Sequence, residues 1–335
     1  MTAHYQPGLH RFAVLTAVVA LLPITVGALV TTLGAGMAFL DWPSSDSHNM
    51  FLYPWFQSLR LNPDKFVEHG HRLAGIVIGL VSIALAVTFW LKESRTWARW
   101  LGLAVLVLVV GQGILGGQRV LLDARGLALL HGLLASWLFA FISCVALMTS
   151  RGWYNAADNK PEEWNLGTGI SAVVAVVAIQ LQYVLGGLLR HNGMALFEHL
   201  GMACLVLLAV MWVWVGAYCS GIRWLRGNAN LLAIGVVLQI GLGVLTFVAK
   251  FGFGDYVAVQ QSLFQIWTRT SHTVLGMFVW MLAVVYLLRV FRIMWVRYQP
   301  VSSIDRPHGG FNPTNVLNKT NLNLVSPSLQ AGGTP

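Results

Sequence analysis

Long apolar runs separated by short polar stretches dominate the chain. Eight of them reach the roughly 20 residues that a helix needs to cross a bilayer. They span residues 12–35, 68–91, 98–117, 126–149, 167–189, 194–218, 229–249 and 269–291. The first run contains Pro23, where we expect its helix to bend. The pattern predicts an all-α integral membrane protein with eight transmembrane helices.

Composition supports this class and excludes others. Only 10% of the residues are charged and 56% are hydrophobic, whereas soluble domains carry about 25% charged residues. The net charge of +9 follows membrane topology and does not indicate a nucleic acid partner. With a cytoplasmic N-terminus, 13 of the 21 Lys and Arg residues lie on the cytoplasmic side and 21 − 13 = 8 on the other. The positive-inside rule then predicts that both termini are cytoplasmic and that the lipid bilayer is the main partner.

The polar segments carry less information. We expect the first outer loop, 41–66, which is rich in Trp, Pro and Tyr, to pack on the membrane face. The tail, 300–335, has little periodicity and is predicted to be a disordered cytoplasmic segment. The three cysteines, Cys144, Cys204 and Cys219, lie within or at the ends of apolar runs, which predicts neither a disulfide framework nor a cysteine metal site.

Two halves of the chain, 12–149 and 167–291, resemble each other weakly, which predicts two pseudo-symmetric four-helix bundles. Each even-numbered run carries one histidine three to six residues inside its outer end. These histidines are His71, His131, His199 and His272. Because the four runs cross in the same direction, their imidazoles are predicted to lie at one depth near the outer face.

Paired histidines at this depth favour ligation of a metal. Packing alone remains an alternative for each single histidine, but four unpartnered imidazoles in hydrocarbon would be costly. Zinc requires three or four converging ligands, and no cysteine or further histidine stands nearby. Two histidines on facing helices suit the two axial positions of a haem iron. Small residues on the same helix faces would leave room for a flat macrocycle: Gly75, Gly79, Gly132, Gly201 and Gly276.

Charged neighbours distinguish the two halves. Glu68 precedes His71 by about one turn and Arg72 follows it directly, so Glu68 and Arg72 are candidate catalytic residues. The alternative is a plain ion pair between them. In the second half, Glu198 is adjacent to His199 and therefore points about 100° away from it.

Further polar residues lie near the four histidines. Four arginines are candidate donors to haem propionates: Arg72, Arg125, Arg190 and Arg269. For Arg125 taken alone, ordinary headgroup contact is the favoured alternative. His69 and His191 are interpreted as loop or supporting residues, and His10 as lying outside the spans.

Several of these residues together resemble the haem A synthase family over about residues 12–291. They are the Glu-x-x-His-Arg motif at 68–72, Asp41-Trp42-Pro43, the Gln-Gly-Ile-Leu-Gly-Gly run at 112–117, and the recurrent outer histidines. Many bacterial members carry a cysteine pair in the first outer loop. This chain has none between 41 and 66, so no role of that pair can be transferred to it.

The resemblance implies an oxidoreductase of the bacterial inner membrane that converts haem O to haem A for terminal oxidases. It implies that substrate haem lies between His71 and His131, with Glu68 near the reacting centre, and that haem b lies between His199 and His272. A haem O synthase and an electron donor are the implied partners. The alternative is a di-haem electron carrier that modifies nothing. A transporter fits poorly, because its ionisable groups should lie near the bilayer midplane.

Overall fold

The computed structural model describes residues 5–156 and 165–298, which contain ten helices. In order they are α1 (Pro7–Leu33), α2 (Trp55–Leu61), α3 (Pro63–Lys92), α4 (Thr96–Leu121), α5 (Arg125–Met148), α6 (Arg151–Tyr154), α7 (Leu166–Asn192), α8 (Leu196–Cys219), α9 (Arg223–Phe251) and α10 (Leu263–Tyr298). All except α2 and α6 are long and apolar enough to cross a membrane. This confirms the prediction of an all-α protein with eight membrane-spanning helices.

Most helices extend beyond the apolar runs that predicted them. The largest difference is α10, which has 36 residues where the sequence predicted 269–291. At about 1.5 Å per residue this helix is roughly 54 Å long, well beyond a hydrocarbon core of about 30 Å. Hydropathy identifies the part of a helix that lies in hydrocarbon, so the polar turns at the helix ends are not detected. His10 was placed outside the spans and instead lies in the first turns of α1.

Two buried clusters form the interior. One joins α1, α3, α4 and α5 through residues such as Leu85, Phe89 and Val105, and Met277 of α10 also contributes to it. The other joins α7, α8, α9 and α10, with Ala140 of α5 at its edge. Large apolar side chains such as Leu80, Val107 and Leu208 face outward, as expected for lipid-facing surfaces. The division into halves at 12–149 and 167–291 remains a prediction, and the predicted tail at 300–335 lies outside the described residues.

Pro23 lies inside α1, and the helix continues through it.

Both ends of α3 carry a buried carboxylate paired with an arginine. Glu68 pairs with Arg72 at 2.9 Å near its start, and Glu93 pairs with Arg95 at 2.8 Å just after its end. Both carboxylates are almost fully buried, at 2% and 1% exposure. They fix opposite ends of α3 to the segments that flank it.

Candidate functional site

The four predicted histidines form two facing pairs. The ring centroids of His71 on α3 and His131 on α5 lie 6.3 Å apart, with the rings at 86° to each other. His199 on α8 and His272 on α10 repeat this arrangement at 6.3 Å and 80°. The pairing that the sequence predicted is therefore present in the structure.

The spacing of each pair fits a shared metal ion. With metal–nitrogen bonds of about 2 Å, and each ring nitrogen about 1 Å from its ring centroid, the ring centroids of two histidines that share one metal ion would lie roughly 6 Å apart. Nδ1 of His71, His199 and His272 is buried and has no hydrogen-bond partner within the described part of the chain. Buried polar atoms are almost always paired, so these rings have ligating capacity to offer. No group of three or more His, Cys, Asp or Glu residues that could hold a metal occurs among residues 5–156 and 165–298.

Each histidine ring packs against a glycine on the preceding long helix. An added Cβ at that glycine would lie between 2.7 and 3.2 Å from the ring Cε1 atom, so a larger residue would displace the ring. The pairs are Gly27 with His71, Gly116 with His131, Gly186 with His199, and Gly243 with His272. This role of the four glycines was not predicted from the sequence, because hydropathy does not show which helix faces meet.

The glycines predicted to leave room for a macrocycle behave differently. A Cβ added at Gly75, Gly79, Gly132 or Gly201 would meet nothing within 4 Å. At Gly276 it would lie 3.1 Å from the amide nitrogen of Gln239. Four of these five positions therefore border open space.

Glu68 and Arg72 hold the loop that joins α1 to α3 (residues 34–62, including α2; the α1–α3 loop). Oε2 of Glu68 accepts hydrogen bonds from the backbone N–H groups of Ala38 (2.7 Å) and Phe39 (3.2 Å), while Oε1 accepts from Arg72. Arg72 also donates to the carbonyl oxygens of Asp41 (3.0 Å) and Ser44 (2.6 Å). The ion pair considered as an alternative to catalysis is thus present, and it anchors this loop beside His71.

His69 extends the same anchorage. It lies inside α3, is 1% exposed, and its Nδ1 is 3.2 Å from Oγ of Ser45. Its ring packs among Phe39, Tyr53 and Trp55. The interpretation of His69 and His191 as loop residues is wrong in part, since His191 likewise lies within a helix, α7. His191 was misplaced because the polar last turn of α7 falls outside the apolar run 167–189.

Asp41 orders the turn of this loop. Its carboxylate accepts hydrogen bonds from the backbone N–H groups of Asp46 (3.0 Å) and Ser47 (2.8 Å). Burial opposes ionisation, but the hydrogen bonds from Ser44, Ser47 and Asp46 outweigh it and hold the pKa of Asp41 below its ordinary value of 3.8. The loop is thus fastened both to α3 and to itself.

The predicted propionate donors occupy varied positions. Arg190 donates to Thr273 Oγ1 (2.6 Å), the carbonyl of Ala28 (2.7 Å) and Thr32 Oγ1 (3.0 Å), which ties α7 to α1 and α10. Arg125 is exposed. Arg269 and Arg72 are half-buried, and Arg72 contacts the α1–α3 loop as described.

Arg119 was not identified from the sequence, yet it belongs to this region. It lies near the end of α4 and donates to the carbonyl of Gly36 at 2.9 Å, while its Nε is buried without a partner among the described residues. A contact between positions 83 residues apart has no local signature in the sequence.

The depth of the histidines agrees with the prediction in α8 and differs in α10. They were expected three to six residues inside their helices; His199 lies three residues after the start of α8, whereas His272 lies nine residues after the start of α10. The difference arises because the first turns of α10 lie outside the apolar run 269–291. Glu198 is exposed, in contrast to Glu68.

These features define a class: a multi-pass α-helical membrane protein with two facing histidine pairs inside its helices. Residues 10–197, more than half of the 335-residue chain, match the family model COX15-CtaA, described as cytochrome oxidase assembly protein. The chain therefore belongs to the cytochrome oxidase assembly protein family. The matched segment includes His71 and His131 and ends before His199.

Curated relatives of the chain are haem A synthases. It is 25% identical to the haem A synthase of Shouchella clausii over 290 residues, which are 76% of this chain and 93% of that protein. It is 32% identical to that of Rhizobium rhizogenes over 151 residues, 43% of this chain and 40% of the relative. For Bacillus pumilus the identity is 29% over 144 residues, 42% and 44% of the two chains. The resemblance to haem A synthases is confirmed.

Proposed function

We propose that this protein is a haem A synthase, a membrane oxidoreductase that oxidises a methyl group of haem O to a formyl group. Family membership and the named relatives support the reaction class. The observation that carries the proposal is the presence of two facing histidine pairs. In each pair the ring centroids lie 6.3 Å apart. Such pairs suit axial ligation of haem iron.

The two pairs receive different roles. His71 and His131 would hold the substrate haem O, and His199 and His272 would hold a resident haem b. When bound, haem b supplies one-electron redox chemistry that the amino-acid side chains lack. Glu68 and Arg72 are proposed to serve the first pair, because this carboxylate and guanidinium lie on the helix that carries His71 and fasten the α1–α3 loop beside it.

Localisation and partners follow from the same proposal. The eight helices establish a multi-pass membrane protein. We assign it to the bacterial inner membrane with both termini cytoplasmic, supported by the 13-to-8 distribution of Lys and Arg. The helix ends that carry the four histidines then lie on the periplasmic side. A haem O synthase would supply the substrate, and an electron donor would complete the redox cycle.

A labelling experiment tests the orientation. Cysteines introduced in the α1–α3 loop should react with an impermeant reagent from the periplasmic side only, and labelling from the cytoplasm would contradict this orientation.

A haem profile tests the reaction. Membranes from cells that make haem O and express this chain should contain haem A, whereas a di-haem electron carrier would bind haem and leave haem O unmodified. His272→Ala and His199→Ala should each remove the low-spin haem b spectrum, while His48→Ala, at an exposed loop position, should retain it. Persistence of that spectrum in both single variants would contradict the assignment of haem b.

A further inference from the structure

Three of the four histidines are held by a glutamine from the preceding long helix. The side-chain amide of Gln112 donates to the backbone carbonyl of His131 at 2.7 Å. In the second half, Gln182 donates to the carbonyl of His199 at 3.0 Å, and Gln239 donates to that of His272 at 2.9 Å. A carbonyl oxygen has two lone pairs, so each histidine carbonyl can accept this bond in addition to its helical one.

Each glutamine also reaches the ring of its histidine. The amide nitrogen lies 3.2 Å from a ring nitrogen of His131, 3.4 Å from one of His199 and 3.5 Å from one of His272. One side chain therefore contacts both the backbone and the imidazole of a residue on the next helix. This fixes the rotation of one helix about its axis relative to the other at the level of the ring.

The glutamines share a spacing with the glycines that contact the rings. In each case the glutamine precedes the glycine by four residues, so both lie on one helix face. These pairs are Gln112 with Gly116, Gln182 with Gly186, and Gln239 with Gly243. The glycine leaves space for the ring, and the glutamine holds the residue that carries it.

His71 is the exception. Its glycine is Gly27, and the residue four positions earlier is Pro23. The backbone of Pro23 hydrogen-bonds to the His71 ring as the backbones of the three glutamines do to their histidine rings, so the difference lies in the side chain alone. Proline has no side-chain donor and no N–H, so it cannot hold the His71 carbonyl and it removes one hydrogen bond from the interior of α1. The first pair thus has one glutamine-held histidine, whereas the second pair has two.

We propose, building on the proposed function, that Gln112, Gln182 and Gln239 are positioning residues that keep their histidines in place, and that His71, which has no such glutamine, is the histidine that would release a bound haem. A substrate haem has to enter and its product has to leave, so one of the histidines that hold it would have to release. A resident haem needs two fixed ligands. The distribution of glutamines assigns the exchangeable site to the first half and the permanent site to the second.

Carbon monoxide binding to the reduced protein measures this release, because it requires an open axial position on the iron. Two backgrounds of the full chain isolate the sites: His199→Ala with His272→Ala leaves the first pair, and His71→Ala with His131→Ala leaves the second. Each is purified and loaded with haem b as the probe. The first-pair protein should bind carbon monoxide, and the second-pair protein should not.

Substitutions at position 23 test the cause. In the first-pair background, Pro23→Gln should slow carbon monoxide association by about three- to ten-fold, the equilibrium factor of one net hydrogen bond. Pro23→Ala restores the helical N–H without an amide side chain and should keep the original rate. In the second-pair background, Gln239→Leu should make the haem reactive towards carbon monoxide.

The outcomes separate the two proposals. Equal rates for Pro23→Gln and Pro23→Ala, or an inert haem in Gln239→Leu, would overturn the positioning role while leaving haem binding intact. Failure of the first-pair protein to bind any haem would overturn the proposed function, and this inference with it.

Discussion

The replacement of Glu68 by Gln tests whether the first histidine pair depends on a charged carboxylate. In the native protein Glu68 is 2% exposed and accepts three hydrogen bonds, from Arg72, Ala38 and Phe39. A glutamine side chain has one acceptor oxygen and one donor nitrogen. Its nitrogen must therefore face either the Arg72 guanidinium or the two backbone N–H groups, which are donors themselves.

The size of the effect follows from what remains paired. With the glutamine oxygen on the backbone N–H groups, Arg72 loses its carboxylate partner but keeps the carbonyls of Asp41 and Ser44. One hydrogen bond to a charged group contributes about 1.5–3 kcal/mol. We expect a loss of about 2 kcal/mol, which corresponds to a roughly thirty-fold larger open population of the α1–α3 loop. The packed helices remain, so Glu68→Gln should fold, insert and retain haem.

Two measurements follow the variant. Ser45 is fully buried in this loop, so a Ser45→Cys reporter, with the three native cysteines removed, should react with a maleimide roughly thirty-fold faster in the Glu68→Gln background, in proportion to the open population. The haem profile should show loss of haem A with haem O or a partly oxidised intermediate retained, because the charge and the titratable proton are gone. The matched control is Glu93→Gln, which alters an equally buried carboxylate at the other end of α3.

The results decide between the roles of Glu68. Wild-type haem A levels in Glu68→Gln would remove Glu68 from the mechanism. An unchanged labelling rate would show that the hydrogen bond between Glu68 and Arg72 does not hold the α1–α3 loop closed. Loss of both protein and haem would support a purely structural ion pair.

Three further predictions address the helix contacts. Gly27→Ala should displace the His71 ring, since the new Cβ would lie 2.7 Å from its Cε1 atom, and haem titration should show one site weakened and one unchanged. Arg190→Met should lower stability by about 1–3 kcal/mol through loss of its hydrogen bonds, measured by thermal unfolding in detergent. Burial opposes ionisation of Glu93, but hydrogen bonds from Arg95 outweigh it and hold the pKa of Glu93 below its ordinary 4.5. The stability it contributes is therefore complete above about pH 4.5 and is lost as pH falls through the lowered folded pKa; Glu93→Gln should flatten that part of the melting-temperature profile.

The sequence predicted those features that repeat along one helix. Apolar length located the eight spans, and the recurrence of one histidine in alternate spans predicted the two pairs. The ends of the helices could not be predicted in this way, as α10 shows, because polar end turns carry no hydropathy signal. The weak similarity of the two halves contained the glutamine–glycine spacing, but a four-residue spacing within one helix does not reveal which residue on another helix it holds.

Contacts between distant parts of the chain account for the rest. The Glu68–Arg72 pair was anticipated from an i,i+4 spacing, but its hydrogen bonds to Ala38 and Ser44 require the folded loop. Arg119 reaches Gly36 across 83 positions. In each case the partner is a backbone group, which every residue possesses, so residue type alone gives no indication of the contact.

The two halves share one arrangement of histidines and glycines, and they differ at the first pair, where a substrate haem would have to enter and leave. Both present a facing pair of histidines against glycines. In the first half, a buried Glu68 fastens a folded loop beside the pair, whereas the corresponding second-half acid, Glu198, is exposed. Pro23 occupies the place where the other three sites have glutamine. To admit a substrate haem, the α1–α3 loop would have to open and one histidine would have to release, and the first pair is the one that combines such a loop with a histidine that no glutamine side chain holds.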